Sequence, residues 1–98
     1  MNATTMLGKK VLITGGNSGI GLETAKALIA LGAEVIIASR DSQKTQYALN
    51  LLGKGALHLS VDLSDFDSVR NLAAAYLEQH DRLDVLINNA GVFPGKAQ

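Results

Sequence analysis

Apolar residues recur along this chain in two alternating rhythms. Val11 to Thr14 is a short, β-branched apolar run broken at once by glycines, which predicts a strand. Gly19 to Leu31 predicts a helix, because Gly21, Ala25, Leu28 and Gly32 fall on one face at i, i+4, i+7 and i+11. Gly32 stands where a residue in the left-handed conformation closes a helix. Val35-Ile36-Ile37-Ala38 predicts a second strand. A second helix follows, with Asp41 or Ser42 as N-cap and Thr45, Ala48, Leu49 and Leu52 on its inner face; Gly53 and Gly55 end it. Leu57 to Leu63 predicts a third strand. Ser64 and Asp67 have the spacing of a capping box for a third helix, whose inner face reads Val69, Leu72, Ala73, Tyr76 and Leu77. Val85-Leu86-Ile87 predicts a fourth strand, and Gly91 to Gln98 an irregular tail.

The order is therefore β-α-β-α-β-α-β. The strands are continuous apolar runs, as expected where helices cover both faces of a parallel sheet. Right-handed crossovers make this a doubly wound α/β arrangement. No internal repeat, linker or second domain interrupts it.

Composition narrows the function classes more than the fold. With 47% hydrophobic and 18% charged residues, the chain is globular in kind, and 98 residues make one small domain with limited burial. Nine basic and nine acidic residues leave no basic stripe for nucleic acid. The absence of cysteine excludes a disulfide framework, a thiolate metal site and a cysteine nucleophile, and suits a reducing compartment. Met1 to Lys10 has no signal-peptide pattern, and no run approaches the roughly 18 apolar residues of a membrane span, so a cytoplasmic location is expected. No metal-ligand spacing occurs.

Candidate chemistry begins at Thr14-Gly15-Gly16-Asn17-Ser18-Gly19-Ile20-Gly21, between the first strand and the first helix. A dinucleotide's pyrophosphate sits at such a turn. Gly15 permits the tight turn, Gly19 lets backbone approach phosphate, and Gly21 lets the helix pack close to the strand. The helix N-terminus offers unpaired N–H groups to the anion, and Asn17 and Ser18 add donors beside the ribose. The spacing is G-x3-G-x-G rather than G-x-G-x-x-G. An ordinary strand-to-helix turn is the competing reading; the βαβ setting favours the nucleotide.

The second strand ends Ala38-Ser39-Arg40. An acid here would bind the ribose hydroxyls of NAD and repel a 2′-phosphate. Position 39 is serine, and the Arg40 guanidinium suits a 2′-phosphate; the alternative is a solvated loop charge paired with Asp41. Asp62 reads either as an acceptor for the adenine amino group or as a polar strand terminus. Asn88 and Asn89 read either as turn formers or as cofactor-lining residues at the C-terminal edge of the sheet.

Thr14-Gly15-x-x-x-Gly19-Ile20-Gly21, Asp62 and Asn88-Asn89-Ala90-Gly91, in that order at successive strand ends, resemble the signatures of the short-chain dehydrogenase/reductase family. The resemblance runs from about Gly8 to Gly91. The wording Gly-Asn-Ser-Gly-Ile-Gly, Ala-Ser-Arg-Asp and Asp-Leu-Ser-Asp is most similar to its retinol-dehydrogenase-like and WW-domain-oxidoreductase-like branch. The resemblance implies the N-terminal half of a Rossmann-type domain binding NADP, NAD being the lesser alternative. The cofactor-binding set is then Gly15, Gly16, Asn17, Ser18, Gly19, Ile20, Gly21, Ser39, Arg40, Asp62, Leu63, Asn89, Ala90 and Gly91. It also implies alcohol–carbonyl interconversion by hydride transfer.

The family's chemistry needs a serine and a Tyr-x-x-x-Lys pair. Tyr47 is followed four residues on by Leu51, and Tyr76 by His80, so neither fits. No partner acid or nucleophile clusters with His58 or His80, and both read as structural or solvated. The expectation is a cofactor half-site without catalytic residues, inactive alone, cut from a longer frame. Its fourth strand, with a bare edge, invites self-association. A non-catalytic nucleotide-binding module and an excised minimal fold are the alternatives.

Overall fold

A computed structural model of the chain describes residues 6–15 and 19–89. Four strands and three helices alternate: β1 (Lys10–Thr14), α1 (Gly19–Ala30), β2 (Glu34–Ser39), α2 (Gln43–Leu52), a 3-10 turn (Gly53–Gly55), β3 (Ala56–Ser60), α3 (Phe66–Gln79) and β4 (Val85–Asn88). The strands form one parallel sheet in the order β3-β2-β1-β4, in register Val11↔Val35, Val11↔Val85 and Val35↔Ala56. This is the expected Rossmann-type half, with β1 central and β3 and β4 on the edges.

Side chains alternate across a strand, so each central strand feeds two cores. Val11, Ile13, Val35 and Ile37 face α1 and α2, packing on Ala25 and Leu52. Leu12, Ile36 and Ala38 face the other way, onto Leu72 and Tyr76 of α3 and onto Val61. Among the described residues, two helices cover one face and α3 alone covers the other.

That asymmetry accounts for the main departure from expectation. On α3 only Leu72 and Tyr76 are buried. Val69, Ala73 and Leu77, expected to face inward, are exposed. They flank a groove of about 400 Å³ between α3 and β4, floored by Leu12 and Leu86. Nothing among the described residues packs on that side of β4, so Leu86 stays 60% exposed.

The predicted inner faces of α1 and α2 hold. Gly21 and Ala25 are buried in α1, and Thr45, Ala48 and Leu52 in α2. Gly32 adopts φ +100°, and a Cβ there would meet the Leu7 backbone at 3.0 Å. Between the two N-cap candidates for α2, Ser42 is the cap: its Oγ accepts from Thr45 N at 3.2 Å. The capping box expected at Ser64 and Asp67 is not formed. Ser64 Oγ donates to Asp62 Oδ1 at 2.7 Å, and Asp65 caps α3 by accepting from Asp67 N at 2.9 Å. The same Asp62 turn stops β3 at Ser60, short of the predicted Leu63. β4 runs one residue further than predicted, to Asn88, which pairs with Thr14. The tail from Gly91 lies outside the described residues.

The opposite, N-terminal edge of the sheet is held by a polar network. Lys10 Nζ pairs with Glu34 Oε1 at 2.6 Å and approaches His80 Nδ1 at 3.3 Å. The His80 ring stacks on Tyr76 at 4.6 Å between centroids, and the Tyr76 hydroxyl donates to the Arg82 carbonyl. Asp84 Oδ2 accepts from Lys10 N at 2.7 Å and pairs with Arg82 Nε at 3.0 Å. The Glu34 hydrogen bond raises the Lys10 pKa, and burial raises that of Tyr76. The Lys10 amide, with Arg82 beside it, lowers that of Asp84. Of the two expected readings for His80, structural or solvated, its burial and stacking favour the structural one.

Candidate functional site

The C-terminal ends of β1, β2 and β3 converge on one cleft of about 650 Å³, within the range of small-molecule and cofactor sites. Each strand end reaches it differently. From β1 comes Gly15, from the end of β2 come Ala38 to Ser42, and from beyond β3 come Val61 to Ser64. Ligands of open α/β sheets bind outside the carboxyl ends of the strands.

Gly15 and Gly19 flank the turn at φ +70° and +58°, a backbone region that disfavours any residue with a Cβ. Gly19 is thus required by its conformation, beyond the close approach to phosphate that the sequence suggested. Gly15 N donates to Ala38 O at 3.0 Å, tying the turn to β2. Gly21 is buried in α1, and Ile20 is exposed on its first turn. Gly16, Asn17, Ser18, Ala90 and Gly91 lie outside the described residues.

Asn89 closes the β1 side. Its Nδ2 donates to Gly15 O at 3.2 Å and its backbone N to Thr14 Oγ1 at 3.0 Å. Thr14 in turn donates to Asn88 Oδ1 at 3.0 Å. Both asparagines therefore brace the start of the glycine turn.

The β2 end carries the charge. Ser39 is 8% exposed, and Arg40 beside it is exposed on the cleft. Among the described residues no salt bridge joins Arg40 to Asp41, whose Oδ1 instead takes a hydrogen bond from Gln46 Nε2 at 3.3 Å. Lys44, which the sequence reading passed over, lines the same cleft. Its signal was available: it sits two residues past the Ser42 cap, and the first turn of a helix that leaves a strand end faces the same edge of the sheet.

Asp62 and Leu63 are half-buried in the cleft wall. Asp62 lies two residues past β3, where its Oδ1 accepts from Ser64 N at 3.0 Å and from Ser64 Oγ. Its backbone N donates to Ser68 Oγ at 2.7 Å. His58 is structural as expected, its Nε2 donating to Ser39 O at 3.0 Å.

The glycines at positive φ, the cations on the β2 end and the half-buried carboxylate of Asp62 fit a dinucleotide in this cleft. No group of three or more potential metal ligands occurs among the described residues. No helix among them is long and apolar enough to cross a membrane.

A sequence profile described as short chain dehydrogenase matches residues 9–98. A short-chain dehydrogenase/reductase of Armillaria gallica is 46% identical over 91 residues, covering 89% of this chain and 29% of that protein. Human retinol dehydrogenase 13 is 41% identical over 93 residues, covering 90% and 28%. The chain thus spans about three-tenths of the length of the curated relatives it matches. Among solved structures, a Brucella melitensis 3-ketoacyl-(acyl-carrier-protein) reductase complexed with NADH superposes with TM-score 0.80 at 35% identity, covering 90% of this chain and 36% of that one. The Pseudomonas aeruginosa RhlG/NADP complex superposes with TM-score 0.84 at 35% identity, covering 94% and 37%.

Proposed function

The chain belongs to the short-chain dehydrogenase family, and from that premise we propose that it is the cofactor-binding part of an NADP-preferring oxidoreductase that interconverts an alcohol and a carbonyl. The observation that carries the cofactor choice is the β2 end: serine at position 39, with Arg40 and Lys44 both on the cleft. An acid at position 39 would repel a 2′-phosphate; two cations attract one.

The bound nicotinamide supplies or accepts the hydride. This chain's residues hold the dinucleotide. Gly15 to Gly21, with the N-terminus of α1, cradle the pyrophosphate; Asn17 and Ser18 add donors. Arg40 and Lys44 take the 2′-phosphate, and Ser39 lies against the adenosine ribose. Asp62 and Leu63 line the adenine, with Asp62 accepting from its amino group. Asn89, Ala90 and Gly91 complete the cofactor-binding set. Related proteins carry both cofactor forms, an NADH complex and an NADP complex.

Neither tyrosine here is placed for proton transfer. The Tyr76 hydroxyl is committed to the Arg82 carbonyl at the opposite edge, and Tyr47 is exposed on α2. The 98 residues alone bind cofactor and do not turn over. The exposed β4 edge and the apolar groove beside it favour self-association of the isolated chain, which sedimentation across a concentration series reads directly. The lack of cysteine suits the cytoplasm.

The test is Arg40→Asp, with dissociation constants measured for NADPH and NADH. NADPH binding weakens at least about tenfold, the size of one lost charge-assisted contact, and NADH binding stays within about twofold. Equal weakening of both would refute the NADP preference.

A further inference from the structure

One buried hydroxyl gathers the whole β2 end, and the function proposed above gives it no part. Thr45 belongs to the inner face of α2 and is 0% exposed. Its Oγ1 lies 2.7 Å from Arg40 O, 3.0 Å from Ser39 Oγ and 3.3 Å from Ser42 Oγ. A hydroxyl has one proton and two lone pairs. The Arg40 carbonyl can only accept, so the Thr45 proton goes there. Ser39 and Ser42 must then donate to Thr45. The proton of Ser39 is thereby drawn into the core, and its Oγ meets the cleft with lone pairs alone.

A second set of contacts fixes the same two residues from the β3 side. The Ser39 carbonyl accepts from Val61 N at 3.0 Å and from His58 Nε2 at 3.0 Å. Both consecutive carbonyls, of Ser39 and Arg40, are therefore held, and the direction in which the Arg40 side chain leaves the sheet is set by groups other than its own.

We propose that Thr45 is a positioning residue for cofactor choice: by taking the Ser39 proton and holding the Arg40 carbonyl, it aims Arg40 at the ribose 2′ position. It leaves Ser39 as a pure acceptor. A pure acceptor gives a phosphate nothing, so recognition of the 2′-phosphate rests on Arg40 and its neighbouring cation; loss of that charge-assisted contact in Thr45→Val outweighs the neutral hydroxyl proton that Ser39 regains. This rests on the NADP reading of the site. Thr45 itself touches no part of the cofactor, and its effect is on selectivity.

The experiment compares dissociation constants for NADPH and NADH in the whole protein carrying Thr45→Val, Thr45→Ser or Arg40→Ala, with melting temperatures alongside. Valine keeps the shape and loses the hydroxyl; serine keeps the hydroxyl. Thr45→Val weakens NADPH about tenfold, the effect of one misaligned charge-assisted contact, and NADH no more than about twofold. Thr45→Ser restores NADPH to within about twofold of the parent. In the Arg40→Ala background, Thr45→Val changes NADPH no further. If Thr45→Val fails to fold, Thr45→Cys, which keeps the volume with a weaker donor, shows a smaller loss of the same selectivity. Equal weakening of both cofactors, or no rescue by serine, overturns the proposal. If Arg40→Ala is itself unselective, the NADP reading falls and takes this inference with it. If Arg40→Ala is selective and Thr45→Val is not, this inference falls alone.

Discussion

β2 and β4 flank the same central strand, and as sequence they are near twins: Val-Ile-Ile-Ala against Val-Leu-Ile-Asn. In the structure they are opposites. β2 is buried from Val35 to Ser39, with helices on both faces and hydrogen-bonded neighbours on both edges. β4 is exposed at Val85, Leu86 and Asn88, and among the described residues it has a neighbour on one edge only. The strand that is buried is also the one whose end carries Ser39 and Arg40. A rigid, doubly covered strand delivers its last residues to the cleft in one geometry. Gly15, where the glycine turn begins, is tied to that strand through its hydrogen bond to Ala38 O.

The sharpest way to break the comparison is to truncate matched residues on the two strands. Ile36 is 0% exposed and Leu86 is 60% exposed. Ile36→Ala costs about 2–5 kcal/mol, the range for a large aliphatic residue lost from a core, read by denaturant unfolding. An Ile36→Ala loss no larger than that of Leu86→Ala would mean that β2 is not the packed strand described here.

The next effect concerns the helix that follows β2. Ser42→Ala removes the cap of α2 and costs about 1 kcal/mol, read in the same way. NADPH binding falls with it, because Ser42 is also a partner of Thr45.

The opposite edge of the sheet answers to pH. Asp84 is held below its ordinary value of 3.8, so its contribution is present above that value and is lost as pH falls through the lower folded value. Lys10 and Tyr76 are held above their ordinary values of 10.5 and 10.0, so theirs are present below those values and are lost as pH rises through the folded values. Thermal melts across pH therefore show a plateau at neutral pH and losses at both extremes. In Asp84→Asn the acid-side loss shrinks; an unchanged acid limb would remove Asp84 from the network.

The smallest effect is on β4. Leu86→Ser changes stability by no more than about 0.5 kcal/mol, as for an exposed position, while lowering any concentration-dependent association. A loss of several kcal/mol would show that the groove is filled.

The order of elements, the parallel sheet and the glycine turn were legible in the sequence, because hydrophobic period and glycine placement are local signals. Local signals say that a residue is apolar, and not what covers it. Val69, Ala73 and Leu77 have helical spacing identical in kind to that of Leu72 and Tyr76, yet they are exposed, since burial depends on a neighbour that spacing does not encode. The capping of α3 was misread for a related reason. Ser64 and Asp65 both qualify as caps, and the choice is made by Asp62, which claims the Ser64 hydroxyl. Lys44 escaped notice and Thr45 read only as an inner-face position, because their place at the site depends on α2 starting beside the end of β2. In sequence they are an ordinary lysine and a core position.

The central claim is that the dinucleotide sits on the β2 end of the sheet and leaves the β4 groove untouched. Hydrogen exchange with and without NADPH tests it directly. Segments covering residues 14–15, 38–45 and 61–64 gain protection, and those covering residues 69–77 and 83–86 do not change. Protection centred on α3 and β4, with the β2 end unaffected, would contradict the account.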